Sequence, residues 1–239
     1  MFKTKTPKGA GTQAHFLNVA LRLFRTRGFD HTTMRDIAGA ADRSLGAAYH
    51  YFPSKDAIVL AYYAQVQDEH ARRVAPAVAG KASLRDRLAV AFHSKLDILG
   101  DDRPLMGALL RYTGDPAHPL SFLGPRTRGL QLCSMGVFAE AVAAERLSAD
   151  LRALTPLFLW AMHMGLLLYF LYDESPGQHR TRRLTDGAID LFVRALALGK
   201  LPMLRPVTRA VAKLLDQAGL LPDEDGIARA RAAAMAEVM

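Results

Sequence analysis

TTMRDIAGAADRSLGAAYHYFPSK, residues 32–55, decides the fold. Thr33 is placed to cap a helix, and Asp36 three residues later completes a capping-box pattern. Ile37, Ala38 and Ala41 give that helix a narrow apolar face. Ala40 to Arg43 make a turn, and Ser44 caps a second short helix carrying Leu45, Gly46, Ala47, Ala48, Tyr49 and His50. Pro53 closes it, and Ser54 caps a third. Two short helices across a tight turn present the second of them to a DNA major groove.

The side chains suit that task. Gly46 and Ala47 put almost nothing on one face of the short helix, so its backbone is free to approach a nucleic acid closely. Tyr49 and His50 are potential donors to phosphates, and Thr33 joins them at the start of the preceding helix. Lys55 stands in the first turn of the following helix, where the macrodipole disfavours a cation unless an anion faces it. Taken singly, Tyr49 and Phe52 also read as core aromatics and Lys55 as a solvated charge; taken together and in this order, the set points to DNA.

Charge agrees. The chain carries 31 Lys and Arg against 23 Asp and Glu, a net +8. Nine Lys/Arg against four Asp/Glu fall in the first 60 residues, so +5 of that excess lies in a quarter of the length. A phosphate-binding end requires such a concentration. One cysteine, Cys133, excludes an internal disulfide and suits a reducing cytoplasm. The start, Met1-Phe2-Lys3-Thr4-Lys5, has no apolar signal-peptide core.

Working outward, residues 1–11 read as an arm with Lys3, Lys5 and Lys8, either a disordered tail or a DNA-touching segment. A first helix is expected from about Thr12 to Arg27, with Gly28 as its stop. Beyond Ser54 a long helix is expected to about Val74, with a break at 75–83 marked by Pro76, Gly80 and Ser83. Further helices are expected at Ser83–Leu99, Pro104–Thr113, Arg126–Arg146 and Arg180–Leu198. From Ala153 to Tyr172 twenty residues carry no formal charge, long enough to cross a bilayer but interrupted by Pro156 and His163. A helix apolar all round is also expected between a core and a partner subunit, which is the reading favoured over a membrane anchor. After Gly199 an extension carries an amphipathic helix around Val207–Leu215 and an Ala/Arg-rich one at Gly226–Val238.

Residues Thr12–Leu60 closely resemble the DNA-binding domain of TetR-type bacterial transcriptional regulators. The likeness rests on Phe24-Arg25-Thr26-Arg27-Gly28-Phe29, on Thr32 to Ala38, on Ser44 to Phe52, and on Ser54-Lys55-Asp56. Asp42-Arg43 stands where the family usually has Gly-Val, and Ala48 where an apolar residue usually precedes the Tyr. Asp tolerates the left-handed turn conformation better than most residues. The resemblance implies an all-α homodimer: a helix-turn-helix domain over 1–60, a helical ligand-binding and dimerisation domain over 61–199, and here an added extension over 200–239. It implies that the last two helices of the regulatory domain pair with their symmetry mates. It also implies an effector pocket, for which Met106, Leu110, Phe138, Trp160 and His163 are the lining candidates. Their composition suggests a mostly apolar ligand with one or two polar anchors.

No nucleophile elbow, P-loop, dinucleotide glycine fingerprint or His-Glu-x-x-His occurs, so no enzyme chemistry and no cofactor are expected. The eight His lack metal-ligand spacing, Asp115-x-x-His118 being the nearest approach, and no metal site is expected. The reading is a cytoplasmic, ligand-responsive repressor that binds a palindromic double-stranded operator as a homodimer. Leu45, Ala47 and His50 face base edges, Arg35 reaches in from the helix before the turn, and Thr33, Tyr49 and Lys55 meet phosphates; Arg43, Ser44 and Gly46 complete the DNA-binding set. The alternatives are a DNA-binding protein of the same fold with no small-molecule effector, such as a chromosome-organising factor, and a membrane-anchored helical protein.

Overall fold

The computed structural model describes residues 7–222 and 225–230. Residues 1–6 of the expected arm and residues 231–238 of the expected last helix lie outside the described residues. Those described form helices and connecting turns, with no strand among them. The chain divides into two compact units, Met1–Gln65 with Asp101–Thr127, and Val66–Gly100 with Arg128–Met239.

In the first unit, α1 (Pro7–Arg27) is followed by α2 (Met34–Ala40), α3 (Leu45–Tyr51) and the start of α4 (Lys55–Ala79). Phe16, Ala20, Phe24, Ile37, Ala48, Phe52 and Ile58 interlock as its core, all essentially buried. Each of the Phe and Ile side chains contributes ~1.5–3 kcal/mol relative to exposure. α1 begins earlier than its periodicity suggests, because proline is tolerated in a first helical turn. Gly28 then takes φ +86 and stops the helix. The α6 helix (Arg103–Thr113) and the turns after it complete the unit.

The second unit is built from the rest of α4 with α5 (Leu84–Leu99), α7 (Arg128–Val142), α8 (Ala149–Tyr172), α9 (His179–Gly199) and α10 (Arg205–Gln217). α4 runs through Pro76 to Ala79 rather than ending near Val74. Pro76 cannot donate to the carbonyl of Arg72, and buried Val74 holds the last turns to the core despite that lost bond. α7 is shorter at both ends than its apolar pattern predicts, since turns over 124–127 and 142–145 take its flanks. Ser83 and Ser148 cap α5 and α8. α7 packs against α8, and α5 lies against α7 and α9. Leu88, Phe92, Met135, Phe138, Leu159, Trp160 and Ile189 fill the space between them.

Asp173, after α8, accepts hydrogen bonds from the main chain and hydroxyls of Ser175 and Thr181 and so fixes the entry to α9. By length and composition α8 is apolar enough to span a bilayer. Its inner face is nevertheless core: Leu159, Trp160, His163, Leu166 and Phe170 are buried.

Candidate nucleic-acid interface and the polar core of the second unit

The helix-turn-helix forms by local rules. The Thr33 Oγ1 accepts from the Asp36 main chain at 3.1 Å, and the Asp36 carboxylate accepts from the Thr33 main chain at 2.8 Å, a complete capping box. The turn closes through Arg43 N to the Ala38 carbonyl at 3.0 Å, with Asp42 at φ 52. Aspartate thus occupies the left-handed position where glycine is more usual. Ser44 Oγ then accepts from Ala47 N at 3.1 Å and starts α3.

α3 buries Ala48 and turns the rest of its surface outward. Gly46, Tyr49 and His50 are exposed and Leu45 and Ala47 half-buried. Tyr49 is 50% exposed, so the aromatic reading of it as core does not apply, whereas Phe52 at 3% is core. A Cβ built on Gly46 would meet only Ser44 Oγ, at 4.0 Å. Nothing among the described residues therefore requires a glycine there. Arg35, Arg43 and Ser44 are exposed beside this helix, with the Arg43 guanidinium donating to the Asp42 carbonyl at 2.7 Å.

Two of the expected phosphate ligands have internal partners. The Thr33 hydroxyl donates to Asp36 at 2.6 Å while accepting its amide. The Lys55 ammonium donates to the Phe29 carbonyl at 2.6 Å and lies 4.4 Å from the Phe29 ring centroid. Desolvation lowers its pKa. An internal anion is thus not what holds this cation in a first helical turn; a carbonyl and a ring do.

A second brace, not foreseen in the sequence, lies behind the helix-turn-helix. Arg25 of α1 forks onto Asp102 with Nε 2.5 Å from one oxygen and a terminal nitrogen 2.9 Å from the other. Asp30 receives Arg111 and Tyr112 from α6, and Tyr112 also meets the Phe29 ring edge at 5.4 Å between centroids.

Of the expected effector-lining residues, Met106 and Leu110 sit half-buried on α6 of the first unit. Phe138, Trp160 and His163 belong to the core of the second. His163 is 2% exposed and stands among Phe92, Phe138 and His70, with centroid separations of 5.4, 5.4 and 5.9 Å. Around it are three polar residues that sequence reasoning did not assign to a site. His70 binds the Ala91 carbonyl at 2.7 Å, and Lys95 donates to Gln67 Oε1 at 2.9 Å. Burial, with the Lys95 charge, pushes His70 down to about 3, and burial pushes Lys95 down to about 7. His163 falls well below its usual value for the same reasons as His70 and through its repulsion. The available signal was Lys95 itself, a lysine in register with the apolar stripe Leu88, Ala91, Phe92 and Leu96.

A capped helix-turn-helix with an unobstructed second helix, carried on an otherwise helical chain, defines a helix-turn-helix transcriptional regulator. Residues 16–62 match the family described as bacterial regulatory proteins, tetR family. Residues 87–214, more than half the chain, match the tetracyclin repressor-like C-terminal domain. The chain belongs to the TetR family of bacterial regulatory proteins. The HTH-type transcriptional repressor KstR2 of Rhodococcus jostii (strain RHA1) is 44% identical over 50 residues, 21% of this chain and 24% of that protein. That match spans about a quarter of the relative's length.

Among solved structures, Thermus thermophilus FadR, a TetR-family repressor in complex with lauroyl-CoA, superposes with a TM-score of 0.56 at 23% identity, covering 79% of this chain and 95% of that one. The fatty acid degradation regulator FadR of Bacillus halodurans gives 0.59 at 11% identity, over 78% and 96%. A TetR-family regulator from Streptomyces coelicolor gives 0.57 at 22%, over 88% and 98%. At these identities the structures share a fold.

Proposed function

We propose that the protein is a ligand-responsive repressor that works in the cytoplasm and binds a palindromic operator as a homodimer. The observation carrying this reading is the surface of α3: exposed Gly46, Tyr49 and His50, with Leu45 and Ala47 between them, on a helix fixed by the Ser44 cap. Leu45 and Ala47 suit thymine methyls, and Arg35 suits a guanine edge. Tyr49, His50, Ser44 and Arg43 would meet phosphates and set register. Lys55 and Thr33 act one step back, holding α4 and α2 so that α3 stands at the right angle.

The dimer reading rests on two unpartnered stripes in the second unit. α8 exposes Phe158, Ala161, Gly165, Leu168, Tyr169 and Tyr172, and α9 exposes Leu184, Gly187, Leu191, Ala195 and Leu198, each at helical spacing. Apolar faces of this extent mark association surfaces, and two adjacent helices per copy give an isologous four-helix contact. The same stripe explains the composition of α8 without a membrane. An effector that favours one dimer geometry would release the operator to the extent of its differential affinity for the two states.

Fluorescence anisotropy of purified protein on duplexes from upstream of its own gene tests the reading. Binding should weaken with salt at the slope of several phosphate contacts. Equal affinity for any duplex of the same length would contradict it.

A further inference from the structure

We infer that the interior of the second unit receives a small, mainly apolar molecule through a carboxylate head, with Lys95 as its counter-ion and Gln67 and His163 as its hydrogen-bond donors. This rests on the effector reading above and names the chemistry of the effector. It begins with a charge that has nothing to balance it. Lys95 is 5% exposed, and among the described residues its ammonium has one hydrogen-bond partner, the Gln67 side-chain oxygen. No carboxylate lies within ion-pair distance of it among the described residues. An ammonium has three donors and no acceptor, so donors remain. A buried cation without a counter-ion is costly enough that it is ordinarily paired or bound to something.

The neighbouring atoms share the same surplus. The Gln67 amide nitrogen, both ring nitrogens of His163 and Nδ1 of His70 are buried without a partner among the described residues. Gln67 presents its oxygen to Lys95, which leaves its NH2 group pointing elsewhere with two donors. His70 donates through Nε2 to the Ala91 carbonyl, so its Nδ1 is an acceptor in the neutral ring. His163 is neutral and offers one donor and one acceptor. Spare donors therefore outnumber spare acceptors, and one of them carries the charge. A carboxylate, which accepts on two oxygens and donates nothing when ionised, answers that inventory.

A neutral amide or alcohol would satisfy some donors but leave the ammonium unbalanced, and a metal ion would be repelled by it. The walls next to His163 are the rings of Phe92 and Phe138, so the body attached to the head must be apolar. α4, α5 and α8 each contribute to the cluster, through Gln67 and His70, Lys95, and His163 respectively. A ligand bound there bears on three helices at once.

Calorimetric titration of the full chain, without DNA, decides the matter. The probes are benzoate, phenylacetate, octanoate, dodecanoate and hexadecanoate, each beside its own primary amide. At least one acid should bind about tenfold or more tighter than its amide, the scale of a charge-assisted contact. In Lys95→Met that acid and its amide should bind within about twofold of each other. The wild-type comparison needs no variant, so a poorly folding mutant would not blunt the test. Acids that bind no better than amides anywhere in the panel, or that do not bind, overturn the proposal, as does a preference that survives Lys95→Met in a folded protein. Lys95-dependent binding that leaves operator affinity unchanged would keep this site and remove the release reading. Release by amides as readily as by acids would do the reverse.

Discussion

The Tyr62 hydroxyl donates to the Asp102 carboxylate at 2.6 Å, and both side chains are buried. Burial alone would push Asp102 up, but the hydrogen bonds from Arg25 and Tyr62 and the guanidinium charge together hold it below the usual carboxylate range. A carboxylate with a depressed folded pKa stabilises above its unfolded pKa and ceases to do so as pH falls through the folded value. Asp102→Asn should therefore cost about 1.5–3 kcal/mol in urea denaturation at neutral pH. The gap to wild type should narrow below about pH 4. A constant gap across pH would show that the ionised form is not the one held.

The Lys55 contact to Phe29 predicts a different behaviour from that of a phosphate ligand. Lys55→Met should lower stability by about 1–2 kcal/mol through the lost hydrogen bond and ring contact. The salt dependence of operator binding should keep its slope. Arg35→Ala, by contrast, should leave stability nearly unchanged and lose about 1–3 kcal/mol of discrimination at one base pair. Anisotropy over a range of salt, beside thermal melts, separates the two. A flatter salt slope in Lys55→Met would restore it to the phosphate-binding set.

Lys95 makes stability rise with pH as Asp102 does, but in a higher window and because its buried charge is a cost rather than a gain. Its folded pKa of about 7 lies below the unfolded value, which is about 10.4. Between these the unfolded chain binds the proton that the folded chain has released, so stability rises with pH over that window. The full cost of burying the charge is present below it. His70 and His163, both lowered by burial, are neutral throughout and add no slope there. Lys95→Met should be more stable than wild type by ~1–3 kcal/mol near pH 6, with the advantage fading toward pH 10. Parallel melting profiles would refute this.

Leu191 is 68% exposed in the middle of the α9 stripe. Leu191→Arg would put a charge into the contact proposed between copies, where desolvation without a partner is unfavourable. Sedimentation at micromolar concentration should show the variant as a monomer, and operator affinity should fall with it. A variant that remains dimeric would place the contact on another face.

What could be read in the chain before its structure follows from how local each signal is. The caps at Thr33, Ser44 and Ser54, the turn at Asp42 and the stop at Gly28 are settled within a few residues, so the helix-turn-helix was legible almost to the residue. The run of α4 through Pro76 depends on Val74 docking into a core assembled from later helices. The Lys55–Phe29 bond spans 26 positions, and Lys95–Gln67 spans 28. Periodicity shows that Lys95 lies on an apolar face, but not that Gln67, His70 and His163 converge on it from two other helices. Of the pocket candidates, His163 joins this cluster, while Met106 and Leu110 lie on α6 of the other unit.

The central claim is that two copies of α3 read a symmetric stretch of DNA. Selection from a pool of randomised duplexes by the purified full chain, followed by sequencing, tests it most directly. The enriched sequences should contain an inverted repeat with half-sites about one helical turn apart or somewhat more. Enrichment should vanish in Gly46→Glu, which places bulk and negative charge on the bare face of α3 where nothing else in the protein is crowded. A pool that stays random, or a motif without two-fold symmetry that survives Gly46→Glu, would contradict it.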